Sequence, residues 1–273
     1  VFLYDLCLAA SAATVLADAG AVSAKDYSAL LSELRRKQDW RSCLATITHM
    51  HEHEQTKLTN SHVTVAIGAC GTASQWRPAV NLVRTLSNSS ALPPDLISLN
   101  AAIKCCSAAG ALVEADELLH VDIPRAGLTP DGYSFVPLLH ACSKAGDADG
   151  AMKLLDEMRD HSAGADAFVY ASVLSALRRA GRPKEAVSLF EAMLADASVV
   201  PDAVCFAAAL AACNAIGEAA YGQRALQIFE SMETLGVAPS RLCYNEALTA
   251  IRDAQCHEDD AGEASPTGGL RPA

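Results

Sequence analysis

The sequence predicts an all-α fold, an α-solenoid of stacked helix-turn-helix repeats, on three observations. Apolar residues return with helical spacing, the whole pattern recurs roughly every 36 residues, and glycine and proline punctuate successive copies at matching places. The copies run over 24–59, 60–95, 96–131, 132–166, 167–202 and 203–240, with a partial copy over 241–255. A composition that is 51 % apolar but only 5 % aromatic suits closely packed helices better than a β-rich core.

The first helix of each copy is marked by apolar residues at its fourth, eighth and eleventh places, the i, i+4, i+7 stripe of one helix face. These are Tyr27, Leu31, Leu34; Val63, Ile67, Cys70; Leu99, Ile103, Cys106; Phe135, Leu139, Cys142; Tyr170, Leu174, Leu177; Phe206, Leu210, Cys213; and Tyr244, Leu248, Ile251. Gly110, Gly146, Gly181 and Gly217 then close the helix, where a residue free to take positive φ is favoured. The second helix is marked by a small residue at the twentieth place, Cys43, Ala79, Ala115, Ala151 and Ala186, and, after an insertion around 219–222, Ala225. A bulky stripe follows, as in Leu154, Leu155 and Met158, and Pro-Asp pairs such as Pro130-Asp131 and Pro201-Asp202 end the copy.

A hairpin of this size cannot bury its own apolar face, so stacking is obligatory, and the expected product is a superhelix whose concave surface is lined by first helices. Asp122 and Pro124 replace bulky residues and are expected to shorten the second helix of the copy at 96–131. Residues 1–23 read as the remnant of a preceding repeat or an N-terminal cap, and 256–273 as a disordered acidic tail.

The net charge of -11 is unevenly spread. The second to fourteenth residues of the seven copies sum to +5, which leaves -16 for the rest of the chain, so overall acidity does not exclude a mildly basic groove. Four of the ten cysteines fall on the apolar stripe of the first helices, and no C-x-x-C occurs, so they read as small core residues. His49 and His53 have zinc-pair spacing without H-E-x-x-H or a cysteine partner, so no metal is expected. No apolar run approaches membrane-spanning length. The H-x-E and C-x-x-C of the zinc deaminases are missing, and neither catalysis nor a cofactor or small-molecule substrate is expected.

The copy length, the Leu99-Asn100 and Tyr244-Asn245 entries and the terminal Pro-Asp pairs make residues 24–255 resemble a pentatricopeptide repeat protein. The resemblance implies a right-handed superhelix that binds single-stranded RNA in a mitochondrion or plastid and acts in RNA processing, stability or translation, without catalysis, at about one base per repeat. In that family the fifth and last residues of a repeat meet the base edge, and the second packs on the base face. The implied base readers are Thr64 with Asp95, similar to a guanine reader, and Asn100 with Asp131, similar to a uracil reader, together with Asp166, Asp202 and Asn245. Ile97, Tyr133, Phe168, Val204 and Leu242 hold the sandwiching place. Arg36, Lys144 and Arg179 share the thirteenth place and are candidates for phosphates. Val136, Ala171 and Ala207 depart from the pattern, Ser28 with Thr59 is an unusual pair, and a protein-binding scaffold without base reading is the alternative.

Overall fold

Each copy begins where a small polar side chain caps a helix. A computed structural model describes residues 23–53, 58–87, 92–160, 164–196 and 199–262. The first helices are α1 (Ala24–Arg36), α3 (Asn60–Thr72), α5 (Leu96–Ala108), α7 (Gly132–Ala145), α9 (Ala167–Arg179), α11 (Ala203–Ile216) and α13 (Arg241–Gly262). The second helices are α2 (Trp40–His53), α4 (Trp76–Ser87), α6, α8 (Ala148–Asp160), α10 (Pro183–Ala195) and α12 (Ala219–Thr234). Here α6 is a composite of α-helix Leu112–Glu117, a π segment Leu118–Asp122 and α-helix Ile123–Arg125. The chain divides into two compact units, Val1–Ala141 and Cys142–Ala273, with the division inside α7. Within each unit a first helix packs on its own second helix and on the first helix of the next copy, the arrangement of a helical-repeat solenoid.

The apolar stripe does what its spacing requires. In the six full copies every fourth, eighth and eleventh residue is buried, from Tyr27, Leu31 and Leu34 to Phe206, Leu210 and Cys213. The small residue at the hairpin crossing, Cys43, Ala79, Ala115, Ala151, Ala186 or Ala225, is fully buried each time, which lets the two helices approach closely. Burial pushes the thiols of Cys43, Cys70, Cys106 and Cys205 up to about 12, so they stay protonated and inert as core residues.

Four expectations are corrected. The helix expected to shorten at Pro124 instead continues through Arg125. Proline lacks an N–H and would clash with a carbonyl one turn back, and the π segment absorbs both: the Ile123 N–H reaches back to the Leu118 carbonyl. Buried Asp122 there is held by Arg84 from α4 at 3.1 Å. The insertion around 219–222 becomes extra helix at the start of α12. Residues 256–262, read as part of a disordered tail, extend α13, because no proline or glycine interrupts the helix formers before Gly262. In the last copy the stripe Tyr244, Leu248 and Ile251 is 52 %, 64 % and 38 % exposed, while Cys243, Ala247 and Ala250 are buried. No second helix of that copy packs on α13 among the described residues, so its core side is set by α11 and α12 alone. Residues 1–22 and 263–273 lie outside the described residues.

All six hairpins turn on a left-handed residue at the fifteenth place. Gly110, Gly146, Gly181 and Gly217 take φ of 69–77°, but Gln38 and Ser74 take 59° and 55° with a Cβ to accommodate. A left-handed L-residue costs about 1–2 kcal/mol, partly offset by glycine's greater loss of freedom on folding. Gln38→Gly and Ser74→Gly are therefore each expected to stabilise the chain by up to about 1 kcal/mol in urea unfolding; a loss of stability in both would contradict this account of the turn.

Candidate functional site

In the six full copies, burial of the fourth, eighth and eleventh places turns the second place outward, with the fifth adjacent to it, three residues on, buried at Ala207 and at least partly exposed in the other five. At the second place Ile97, Tyr133, Phe168, Val204 and Leu242 are exposed by 67 %, 81 %, 54 %, 60 % and 54 %. Large apolar side chains are thus held in water at one recurring place, on helices that in the six full copies bury their fourth, eighth and eleventh places.

The last residue of each copy has a structural task that base reading does not explain. Asp95, Asp166 and Asp202 are N-caps of α5, α9 and α11, accepting through Oδ1 from the N–H groups of Ser98, Val169 and Val204 or Cys205 at 2.8–3.0 Å. Asp131 Oδ1 accepts likewise from Ser134 N–H at 3.0 Å. Ser23 caps α1 reciprocally with Asp26, and Ser240 accepts from Cys243 N–H. Each such cap stabilises its helix by about 1 kcal/mol.

One predicted pair is brought together. Asn100 Nδ2 donates to Asp131 Oδ1 at 3.0 Å, and Ser134, fully buried at the third place of the next copy, ties both. Its hydroxyl lies 2.7 Å from Asn100 Oδ1 and 3.0 Å from Asp131 Oδ1, and the Asp131 N–H donates to it at 3.1 Å. These bonds fix which end of the Asn100 amide points where, leaving one N–H of Asn100 and Oδ2 of Asp131 outside them. Thr64 behaves differently: its hydroxyl donates to the Asn60 carbonyl of its own helix, and no hydrogen bond joins it to Asp95. Asn245 is exposed on α13.

The unusual pair Ser28 and Thr59 is bridged by the same place. His62, buried at the third place of the next copy, has Nε2 2.8 Å from Ser28 Oγ and Nδ1 3.2 Å from Thr59 N and 3.1 Å from Thr59 Oγ1. The Ser28 hydroxyl donates to the Ala24 carbonyl, so Nε2–H donates to Ser28 Oγ and Nδ1 accepts from Thr59, which assigns a neutral imidazole. Burial holds it below its ordinary 6.5, against the opposing pull of the Ala24 backbone carbonyl as an acceptor. Sequence reading did not find the third place, because its partners lie a whole copy upstream. The available signal was a polar residue, Ser98, Ser134 or His62, immediately before a buried apolar one.

Cations divide by helix. Among the described residues six second-helix cations are paired with acids: Arg84 with Glu117, Arg125 with Asp122, Lys153 with Glu157, Arg159 with Asp156, Lys184 with Glu218 and Arg224 with Glu191. Arg41 and Arg77 lie over Trp40 and Trp76. On the first helices no described acid pairs with Lys25, Arg35, Arg36, Lys104, Lys144 or Arg178. Arg179 donates to the Lys144 carbonyl at 3.2 Å, so two of the three expected phosphate residues meet at a helix end, and Arg36 is exposed at the end of α1. Among the described residues no group of three His, Cys, Asp or Glu could hold a metal ion, and no helix is long and apolar enough to cross a membrane.

Comparison with known proteins decides the family. Residues 18–185 and 138–264 match the model described as the pentacotripeptide-repeat region of PRORP. The chain belongs to the pentatricopeptide repeat family. It is 29 % identical over 190 residues to the Arabidopsis thaliana pentatricopeptide repeat-containing protein At3g58590, covering 69 % of this chain and 24 % of that protein. It is 31 % identical over 166 residues to At3g11460, named as mitochondrial, from the same plant, covering 59 % of this chain and 26 % of that protein. The chain thus spans about a quarter of the length of these relatives. In structure it resembles PPR10 in complex with an 18-nt psaJ RNA element, with a TM-score of 0.59 and 23 % identity over 97 % of this chain and 41 % of that one. The crystal structure of the pentatricopeptide repeat protein PPR10 from maize gives a TM-score of 0.54 at 21 % identity, covering 90 % of this chain and 40 % of that one.

Two outcomes follow for this pentatricopeptide array. Ser134→Ala leaves Asn100 Oδ1 and the Asp131 N–H short of a partner and is expected to destabilise the chain by about 1–2 kcal/mol in denaturant unfolding; no change would mean the network carries no energy. For His62 the folded value lies below the unfolded 6.5, so the unfolded chain binds more protons between the two. The stabilising contribution is complete above 6.5 and is lost as pH falls through the folded value. Wild type should therefore lose more stability than His62→Gln between about pH 7.5 and about pH 5, and parallel losses would overturn the assignment.

Proposed function

We propose that the chain binds single-stranded RNA along the face formed by its first helices, as a non-catalytic adaptor in organellar RNA processing, stability or translation, at about one base per repeat. The observation that carries this reading is the row of exposed second-place side chains, Ile97 and Tyr133 above all, flanking the fixed Asn100–Asp131 edge. An apolar or aromatic side chain in water offers a stacking platform for a base, worth about 1–3 kcal/mol per base. Between two such platforms the Asn100 N–H and Asp131 Oδ2 offer a donor and an acceptor, which complement a carbonyl and the N3–H of uracil. The family relative PPR10, with the same fold, is named in complex with RNA, and a mitochondrial relative supports the organellar setting.

Sequence reading is strongest in the first unit. In the second, Ala171 and Ala207 occupy fifth places and line a groove of about 430 Å³ with Val204 and Leu242, which favours a protein-binding scaffold as the second reading there. A pull-down that survives RNase from a chain that binds no RNA would support it.

Selection from a randomised single-stranded RNA pool tests the proposal. The expected result is enrichment with uracil fixed at one position, and Asn100→Ala relaxing that position alone at a cost of about 1–3 kcal/mol. No enrichment and no binding at low salt would refute the proposal.

A further inference from the structure

A groove of about 380 Å³ opens on the first-helix face of the first unit, where α1, α3 and α5 come together. Its floor is small and apolar, with Ile67, Gly68, Gly71 and Ala101, and no acidic residue lines it. Arg35 reaches it from α1 and Lys104 from α5, on either side of α3, and neither has a described acidic partner. In a chain of net charge -11, two cations without an acidic partner that share one acid-free groove stand apart.

Gly68 explains how Arg35 gets there. A Cβ at Gly68 would stand 3.2 Å from Arg35 Cζ and 3.3 Å from Nε, so the guanidinium lies where a side chain of α3 would otherwise be. A helical glycine weakens its own helix, and here the space it leaves is filled by a cation packed flat and partly ordered before any ligand arrives. The second unit provides the contrast. Arg178 occupies the same twelfth place as Arg35, but Ala211 stands where Gly68 does, and Glu246 lines the groove that Arg178 enters. Of these two grooves, that of the first unit is lined by no acid.

We infer that this groove seats a backbone phosphate of single-stranded RNA between Arg35 and Lys104, an inference that rests on the RNA-binding reading above. Guanidinium presents a planar fork to phosphate oxygens, and the ammonium adds a second, mobile charge. Lys104 follows Asn100 by four residues and Ile97 by seven on α5, so one helix stripe carries the platform, the base-edge reader and the phosphate contact in order. Arg36, the neighbour expected from its thirteenth place, does not line the groove.

The test is the salt dependence of binding of the full chain to a randomised single-stranded RNA pool. Each neutralised phosphate contributes about 0.7 to the slope of log affinity against log salt for single strands. Arg35→Ala with Lys104→Ala is expected to lower the slope by about that amount, while Arg77→Ala, stacked on Trp76 of a second helix, leaves it unchanged. Gly68→Ala separates structure from binding: alanine favours the helix, so the melting temperature should hold or rise while the displaced guanidinium weakens RNA binding several-fold. If wild type binds RNA and the double variant and Gly68→Ala keep its affinity and slope, the groove is no phosphate seat and the RNA-binding reading stands. If wild type binds no RNA at low salt, both fall.

Discussion

The first helix of every full copy commits its fourth, eighth and eleventh residues to the core, and the helical period then decides what the rest of that helix can do. With 3.6 residues per turn, the second, fifth and ninth places form a stripe of their own, rotated away from the buried one. On α5 that stripe reads Ile97, Asn100 and Lys104: apolar, amide, cation. Nothing about stability asks for an isoleucine 67 % exposed at the head of this stripe, and the same place is filled by a large apolar residue four more times. The core stripe therefore sets both the stacking of hairpins and the face they present.

Polar fine structure is added where copies join. The last residue of one copy caps the first helix of the next, so Asp131 belongs to the cap and to the presented edge together. Buried Ser134 orients both members of the pair, and His62 does the corresponding work for Ser28 and Thr59 with a neutral ring. A buried network of this kind holds its geometry because each group left unpaired would cost more than the bonds return on average. Charge follows a similar division, with most second-helix cations neutralised by acids, while Arg35, Lys104 and Arg178 of the first helices have no described acidic partner.

Much of this was legible in the sequence. The stripe, the small crossing residue and the glycine turns depend on local spacing, and they appear where the periodicity put them; the pair Asn100 and Asp131 also meets. What the sequence could not convey were contacts set by the neighbouring copy. The bridging role of Ser134 needs a partner 34 residues upstream, and the placing of Arg35 rather than Arg36 over α3 turns on a missing Cβ at Gly68. Asp122 and Pro124 were expected to shorten their helix, whereas a π segment carries it on through Arg125, a remedy that local spacing does not reveal. The stripe of the last copy kept its pattern without its burial, because periodicity records what a helix can bury and not what is present to cover it.

The central claim is that RNA lies on the first-helix face, against the exposed second-place side chains. Photo-crosslinking of the chain to single-stranded RNA carrying 4-thiouridine, followed by mass spectrometry of the joined peptides, tests it most directly. The account predicts crosslinks in peptides of α5 and α7 that contain Ile97 and Tyr133. Crosslinks confined to second-helix peptides such as those of α4 and α8 would contradict it.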